Sequence, residues 1–249
     1  MTSSPGPEHL NNRHRDTLRQ IFEHPASHNI EWHAVMSLLE AVGTVTVRHD
    51  GKVAIKIGSE QEFLDPPPGK DIDTQMVVDT ELRWALLQRL CTASRAADIE
   101  IDAEAERDPT DAGRRHAAAC RAAVPDAAHK AAAWALFADS QDLGLETLAE
   151  AASAFAQPEH AHLLGPYADR YFEVLPDIWA TRDEGGAGSF RLAFGHLLFP
   201  YPLASPQLLT RIDAFLTAAV HDQGLVRVVT EGRDVIERAL RSRALPDRP

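Results

Sequence analysis

Two hydrophobic periodicities divide the chain, one before about residue 79 and one after it. Ile30 to Val42 places Ile30, Val35, Leu38, Leu39 and Val42 on one side of a helix, and Gly43 stops it. After Ser4-Pro5-Gly6-Pro7, Leu10 to Glu23 reads as a short polar helix, within a leader segment, residues 1–26, expected to be partly disordered. Alternation then takes over in Val45-Thr46-Val47-Arg48 and Val53-Ala54-Ile55-Lys56-Ile57, on either side of His49-Asp50-Gly51-Lys52. Asp-Gly between alternating runs predicts a hairpin. A third strand is expected at Glu62 to Leu64, and Pro66-Pro67-Pro68-Gly69 ends the sheet, because prolines bring no amide donors to a ladder. Asp73 is placed to cap a closing helix from Thr74.

From Thr80 onward the period is helical throughout. The pattern predicts helices over Glu81–Ser94, Ile99–Arg107, Ala112–Ala123, Ala127–Ala138, Leu145–Phe155, Tyr167–Thr181, Ser189–Leu198, Gln207–Val220 and Leu225–Arg241. Asp111, Asp126 and Ser205 are the expected caps. Near-equal helices on short connections suggest stacked pairs, as in a helical solenoid. Asp183-Glu184-Gly185-Gly186-Ala187-Gly188 reads as a loop without phosphate-binding spacing. The expected fold is mainly α: a small helix, three-strand, helix domain over 27–79, then an all-α domain over 80–249.

Composition narrows the function classes. Across 249 residues, 25 Lys plus Arg face 37 Asp plus Glu, a net charge of -12. Residues 1–79 hold 7 basic and 12 acidic side chains and residues 80–249 hold 18 and 25, so neither part is a basic module. Such a field repels phosphate backbones, and nucleic acid is a doubtful partner. No apolar run approaches the roughly 18 residues of a spanning helix, and no membrane association is expected. The expected location is the cytoplasm, with Cys91 and Cys120 as reduced, packed thiols rather than a disulfide.

The helical part is similar to a known family. Thr80-Glu81-Leu82-Arg83-Trp84-Ala85-Leu86-Leu87-Gln88-Arg89-Leu90, Gly113-Arg114-Arg115-His116-Ala117-Ala118-Ala119 and Lys130-Ala131-Ala132-Ala133-Trp134 resemble the C-terminal helical domain of aminopeptidase N, a gluzincin zinc metallopeptidase. Tyr171-Phe172, Asp177-Ile178-Trp179-Ala180 and Glu231-Gly232-Arg233-Asp234 extend the likeness to residues 80–249. It implies a bowl of HEAT-like helix pairs that encloses peptides, so a peptide or protein partner is expected. Zinc is not. The family's chemistry needs His-Glu-x-x-His and a Gly-x-Met-Glu-Asn strand, and the sequence has neither. The reading is a non-catalytic relative without zinc peptidase activity and without a cofactor.

Residues 27–79 resemble a HicA-type toxin through Asn29-Ile30-Glu31-Trp32, Leu38-Leu39-Glu40-Ala41-Val42-Gly43, His49-Asp50-Gly51-Lys52 and Pro68-Gly69-Lys70-Asp71. This implies a fold like a double-stranded-RNA-binding domain, metal-independent RNA cleavage by a sheet histidine, and silencing by a HicB-like antitoxin. Alignment on Pro-Gly-Lys-Asp puts that histidine near Lys52 or Val53, so His49 and Lys52 are the candidates for RNA chemistry. The alternative function is therefore RNA cleavage or binding by 27–79, from a fusion with its junction near Asp79–Thr80.

Other polar clusters have plainer readings. His24 and His28 have ligand spacing, but Pro25 breaks the helix that would align them. Glu159-His160-Ala161-His162 is read as a polar helix start. Trp84, Trp134 and Trp179 are assigned to core packing. Arg114, Arg115 and Arg121 are read as solvated charge, and Arg227, Arg233, Arg238 and Arg241 as complements to helix ends and nearby acids.

Overall fold

The computed structural model describes residues 10–22, 31–49, 51–57, 60–64, 80–96, 98–182, 190–218 and 222–244. It is mainly helical and divides into two units, 1–120 and 121–249. The expected junction near Asp79–Thr80 borders residues 65–79, which lie outside the described residues together with Ile30, His24, His28 and residues 183–189; the helix expected from Thr74 and the loop expected at 183–188 fall there.

The first unit begins with α1 (Asn12–Phe22) and α2 (Trp32–Val42). Asn11 caps α1, its Oδ1 accepting from the His14 amide at 2.9 Å. The inner stripe of α1 is His14, Thr17, Leu18 and Ile21, which is why the segment reads as polar. His14 Nε2 sits 3.0 Å from Ser37 Oγ on α2. On α2, Val35, Leu38, Leu39 and Val42 are buried, as their spacing predicts.

Three strands follow as an antiparallel meander in the order β1 (Thr44–Val47), β2 (Val53–Ile57), β3 (Glu60–Leu64). Val47 pairs with Val53 and Thr44 with Lys56, the register an Asp-Gly hairpin sets. Gly51 takes φ +85°, the left-handed conformation the turn needs. Its amide donates to Arg48 O at 3.0 Å, and the Arg48 amide donates to Lys52 O at 2.8 Å. Val53 and Ile55 point into the core. The third strand starts at Glu60, two residues before the expected Glu62, because its pairing with β2 continues to Ile57 opposite Glu60.

Every described element after residue 80 is helical. The first three are α3 (Thr80–Thr92), α4 (Asp98–Arg107) and α5 (Asp111–Ala123). A polar clip joins α3 to the start of α5: the buried Trp84 indole N–H donates to Asp108 Oδ2 at 2.9 Å, and Thr110 Oγ1 donates to Asp108 Oδ1 at 2.6 Å. The Thr110 bond is the main reason the Asp108 carboxyl stays below its ordinary range. Thr110 also accepts from the Gly113 amide at 3.1 Å. Thr110 is therefore the cap, not the expected Asp111, which forms the first helical residue. A Cβ on Gly113 would overlap Asp108 O, so the glycine of the Gly113-Arg114-Arg115-His116 motif is a steric requirement.

The second unit holds α6 (Ala127–Asp139), α7 (Leu145–Phe155), α8 (Ala161–Thr181), α9 (Phe190–Leu197), α10 (Pro206–Ala218) and α11 (Gln223–Arg243). Two expected caps hold. Asp126 accepts from the Ala128 and His129 amides at 2.9 Å each, and Ser205 Oγ accepts from the Leu208 amide at 3.2 Å. α8 starts at Ala161, inside the polar helix start read at Glu159–His162, and so extends N-terminal of the Tyr167 expected for the helix that ends at Thr181. Pro166 and Pro176 lie inside that helix, where burial of Leu164, Tyr171, Leu175 and Ile178 along one stripe outweighs the hydrogen bond each proline removes.

The second core is aromatic. Trp134 packs against Tyr167 with ring centroids 5.3 Å apart, and Tyr171 against Phe199 at 5.6 Å. Tyr171 is fully buried and its hydroxyl donates to Gly195 O at 2.7 Å. A Cβ on Gly232 would overlap the Phe199 ring, which accounts for the glycine in Glu231-Gly232-Arg233-Asp234. A second clip closes α11: Trp179 Nε1 donates to Asp222 Oδ1 at 2.8 Å, and the same oxygen accepts from the Gly224 amide at 2.8 Å. These bonds, the indole's foremost, hold the Asp222 carboxyl below its usual value.

Lys130 is the least expected buried residue, with 0% exposure. Its Nζ donates to Ala122 O at 2.6 Å and Phe155 O at 3.1 Å, the last turns of α5 and α7. Helix C-terminal carbonyls lack intrahelical donors and carry partial negative charge, so a buried ammonium satisfies both demands. Burial nonetheless pulls the Lys130 pKa from 10.5 to about 8. Both cysteines are buried and free of disulfides.

The lysine and the glycine at the clip can each be tested by unfolding. Between pH 8 and 10.5 the folded chain has released the Lys130 proton while the unfolded chain still holds it, so stability rises with pH across that window. The rise is on the order of 3 kcal/mol at most, and the difference between urea-unfolding curves of wild type and Lys130→Met reads it; a difference independent of pH contradicts the burial. Gly113→Ala is expected to lose about 1–3 kcal/mol in the same assay, through displacement of Asp108.

Candidate functional site

A candidate site lies in the first unit. It is a cleft of about 700 Å³ walled by α1, α3 and α4. Its floor is apolar, with Leu18 from α1, Leu87 and Leu90 from α3, and Ala96 after it. The chain turns there because Ser94 takes φ +55° at the end of α3, which lets the Arg95 amide donate to Leu90 O at 2.8 Å. That turn sets Arg95 at the cleft. Ile99, on the first turn of α4, borders it with 77% exposure.

Four guanidinium groups line the cleft, Arg15, Arg19, Arg95 and Arg107, against the carboxylates of Glu100 and Glu104. Glu104 is buried and accepts from Arg83 Nε at 2.6 Å and Arg107 Nη1 at 3.3 Å. Burying that carboxylate is tolerable because two cations share it. Arg19 pairs with Asp16 at 3.0 Å. Arg15 reaches Asn12 Oδ1 at 3.4 Å, while Arg95 has no side-chain partner among the described residues. The cleft is thus an apolar trough with surplus positive charge at its border.

The residues singled out from sequence lie elsewhere. His49 is exposed on the hairpin tip, flanked by exposed Arg48 and Lys52, and none of the three borders the cleft. His160 is buried in a short turn at Pro158–His160, while His162 is exposed, so the two imidazoles diverge. The polar start read at 159–162 is in this respect half core. Arg114 pairs with Asp111, Arg227 with Glu231 at 2.8 Å and Arg233 with Asp213 at 2.6 Å, all on exposed surface. Among the described residues no group of three or more His, Cys, Asp or Glu side chains is placed to hold a metal ion. No helix among them is long and apolar enough to cross a membrane.

Sequence reasoning missed the cleft because its walls come from segments about 70 residues apart. The available signals were weak: an Ile at 99 outside any buried stripe, and a cluster of arginines at 13, 15 and 19 in an acidic chain.

Comparison with known proteins bears on the helical part. The model of a family described as the ERAP1-like C-terminal domain matches residues 61–238. An aminopeptidase N from Streptomyces lividans is 44% identical over 169 residues, which is 68% of this chain and 19% of that protein. The chain therefore spans about a fifth of the length of this relative. The family match leaves residues 1–60 uncovered, so it lends nothing to the HicA resemblance. With more than half of its residues matched, this chain belongs to the ERAP1-like C-terminal domain family.

Proposed function

We propose that the chain acts as a non-catalytic helical scaffold of the aminopeptidase N type, binding a peptide or protein partner without zinc peptidase chemistry of its own. The observation that carries this reading is the family match over 61–238 in a sequence with no His-Glu dipeptide and no Met-Glu-Asn. Two imidazoles one helical turn apart and a neighbouring general base are what the zinc reaction requires. In support of a scaffold, the buried Lys130, Asp108 and Glu104 are each bonded to structural partners. A HEAT-like pairing of the helices and cytoplasmic residence belong to the same proposal.

The purified chain is expected to hold substoichiometric zinc and to leave aminoacyl-arylamides unhydrolysed. Hydrolysis that copurifies with the chain and tracks stoichiometric zinc overturns the reading.

A second reading has one observation in its favour. A helix followed by a three-stranded meander presents His49 between two cations on an exposed tip, on the same hairpin as Lys52 and Val53, where the resemblance would put the HicA-type histidine. The chain's net charge of -12 opposes RNA approach. Single-stranded RNA incubated with the full chain in chelator is expected to stay intact. Cleavage that disappears in His49→Ala would establish the second reading in place of the first for this segment.

A further inference from the structure

We infer that the cleft between α1, α3 and α4 binds a single-chain amphipathic carboxylate, an acyl chain with an ionised head. This goes beyond the family reading, because α1 forms one wall and lies outside residues 61–238. The cleft's volume, about 700 Å³, is that of a small-molecule site. The charged side chains Arg15, Arg19, Arg95, Arg107, Glu100 and Glu104 line the cleft, and Leu18, Leu87, Leu90 and Ala96 offer an apolar floor. An alkyl chain gains about 0.8 kcal/mol per methylene buried on such a surface.

Charge identifies the head group. In a chain of net charge -12, this cleft carries four arginines and two glutamates. Glu104 is engaged by Arg83 and Arg107, and Arg19 is engaged by Asp16. Arg15 and Arg95 are left without an opposing carboxylate among the described residues. A guanidinium binds a carboxylate through charge-assisted and often paired hydrogen bonds, which makes an anionic head the complement and a cationic one a clash. Exposed Ile99 stands at the same border, where the upper part of an acyl chain would cover it.

The test is titration calorimetry of the full chain with laurate below its micelle concentration, beside dodecanol and dodecyltrimethylammonium. Saturable binding of one laurate per chain is expected, at least tenfold tighter than dodecanol, with no binding of the cation. Arg15→Gln combined with Arg95→Gln should weaken laurate about tenfold and leave dodecanol unchanged. Ile99→Asp should weaken both. All three positions are exposed, so the melting temperature is expected to stay near wild type and to exclude misfolding as the cause. Equal affinity for laurate and dodecanol, or arginine variants that bind laurate like wild type, overturns the inference. So does tighter binding of a short peptide with an apolar C-terminal residue, which would make the occupant a peptide.

Discussion

The Lys130 ammonium, donating to Ala122 O and Phe155 O inside an aromatic core, shows the constraint on which the helical part depends. A fold assembled from helices of 8 to 21 residues has many ends relative to its length, and each end leaves backbone groups without partners. Ends at the surface are solvated. Ends inside must be met by side chains, and an unmet one costs about 1–3 kcal/mol. One lysine serves two C-termini at once, with its charge aligned to both helix dipoles.

The same constraint explains the two indole clips. Asp108 and Asp222 each sit at the entry to a helix, each takes an indole N–H, and each is near a glycine that lets another group approach closely. The tryptophan buries a large apolar surface and also commits its one polar atom to the helix start. Glu104 between Arg83 and Arg107 follows a related logic, a buried charge tolerated because it is shared. Lys130, Asp108, Asp222 and Glu104 are thus each tied to two or more partners drawn from different parts of the chain.

Periodicity made the elements legible. Leu145–Phe155 and Val53–Ile57 match their expected bounds, and the Asp-Gly turn carried the hairpin and its register. Local chemistry made two caps legible, Asp126 and Ser205, since the amides they accept from lie within three residues. It misplaced the third, because Thr110 and Asp111 are both good caps and only the Asp108 clip decides between them. α8 runs through Pro166 and Pro176, where tertiary burial overrides a local penalty. Lys130 looked like one polar position in an alanine run, and its partners lie 8 and 25 residues away. The cleft was illegible for the same reason, since no local pattern announces that α1 lies across α3 and α4.

The central claim is that buried polar ties hold the helical part as a rigid scaffold. Native-state hydrogen exchange on the full chain tests it most directly. The account predicts that amides in α6, α7 and α8, around Lys130, exchange only through global unfolding, while those of the Arg48–Lys52 turn exchange by local opening. Amides of α6 and α7 exchanging as fast as the hairpin tip would contradict it.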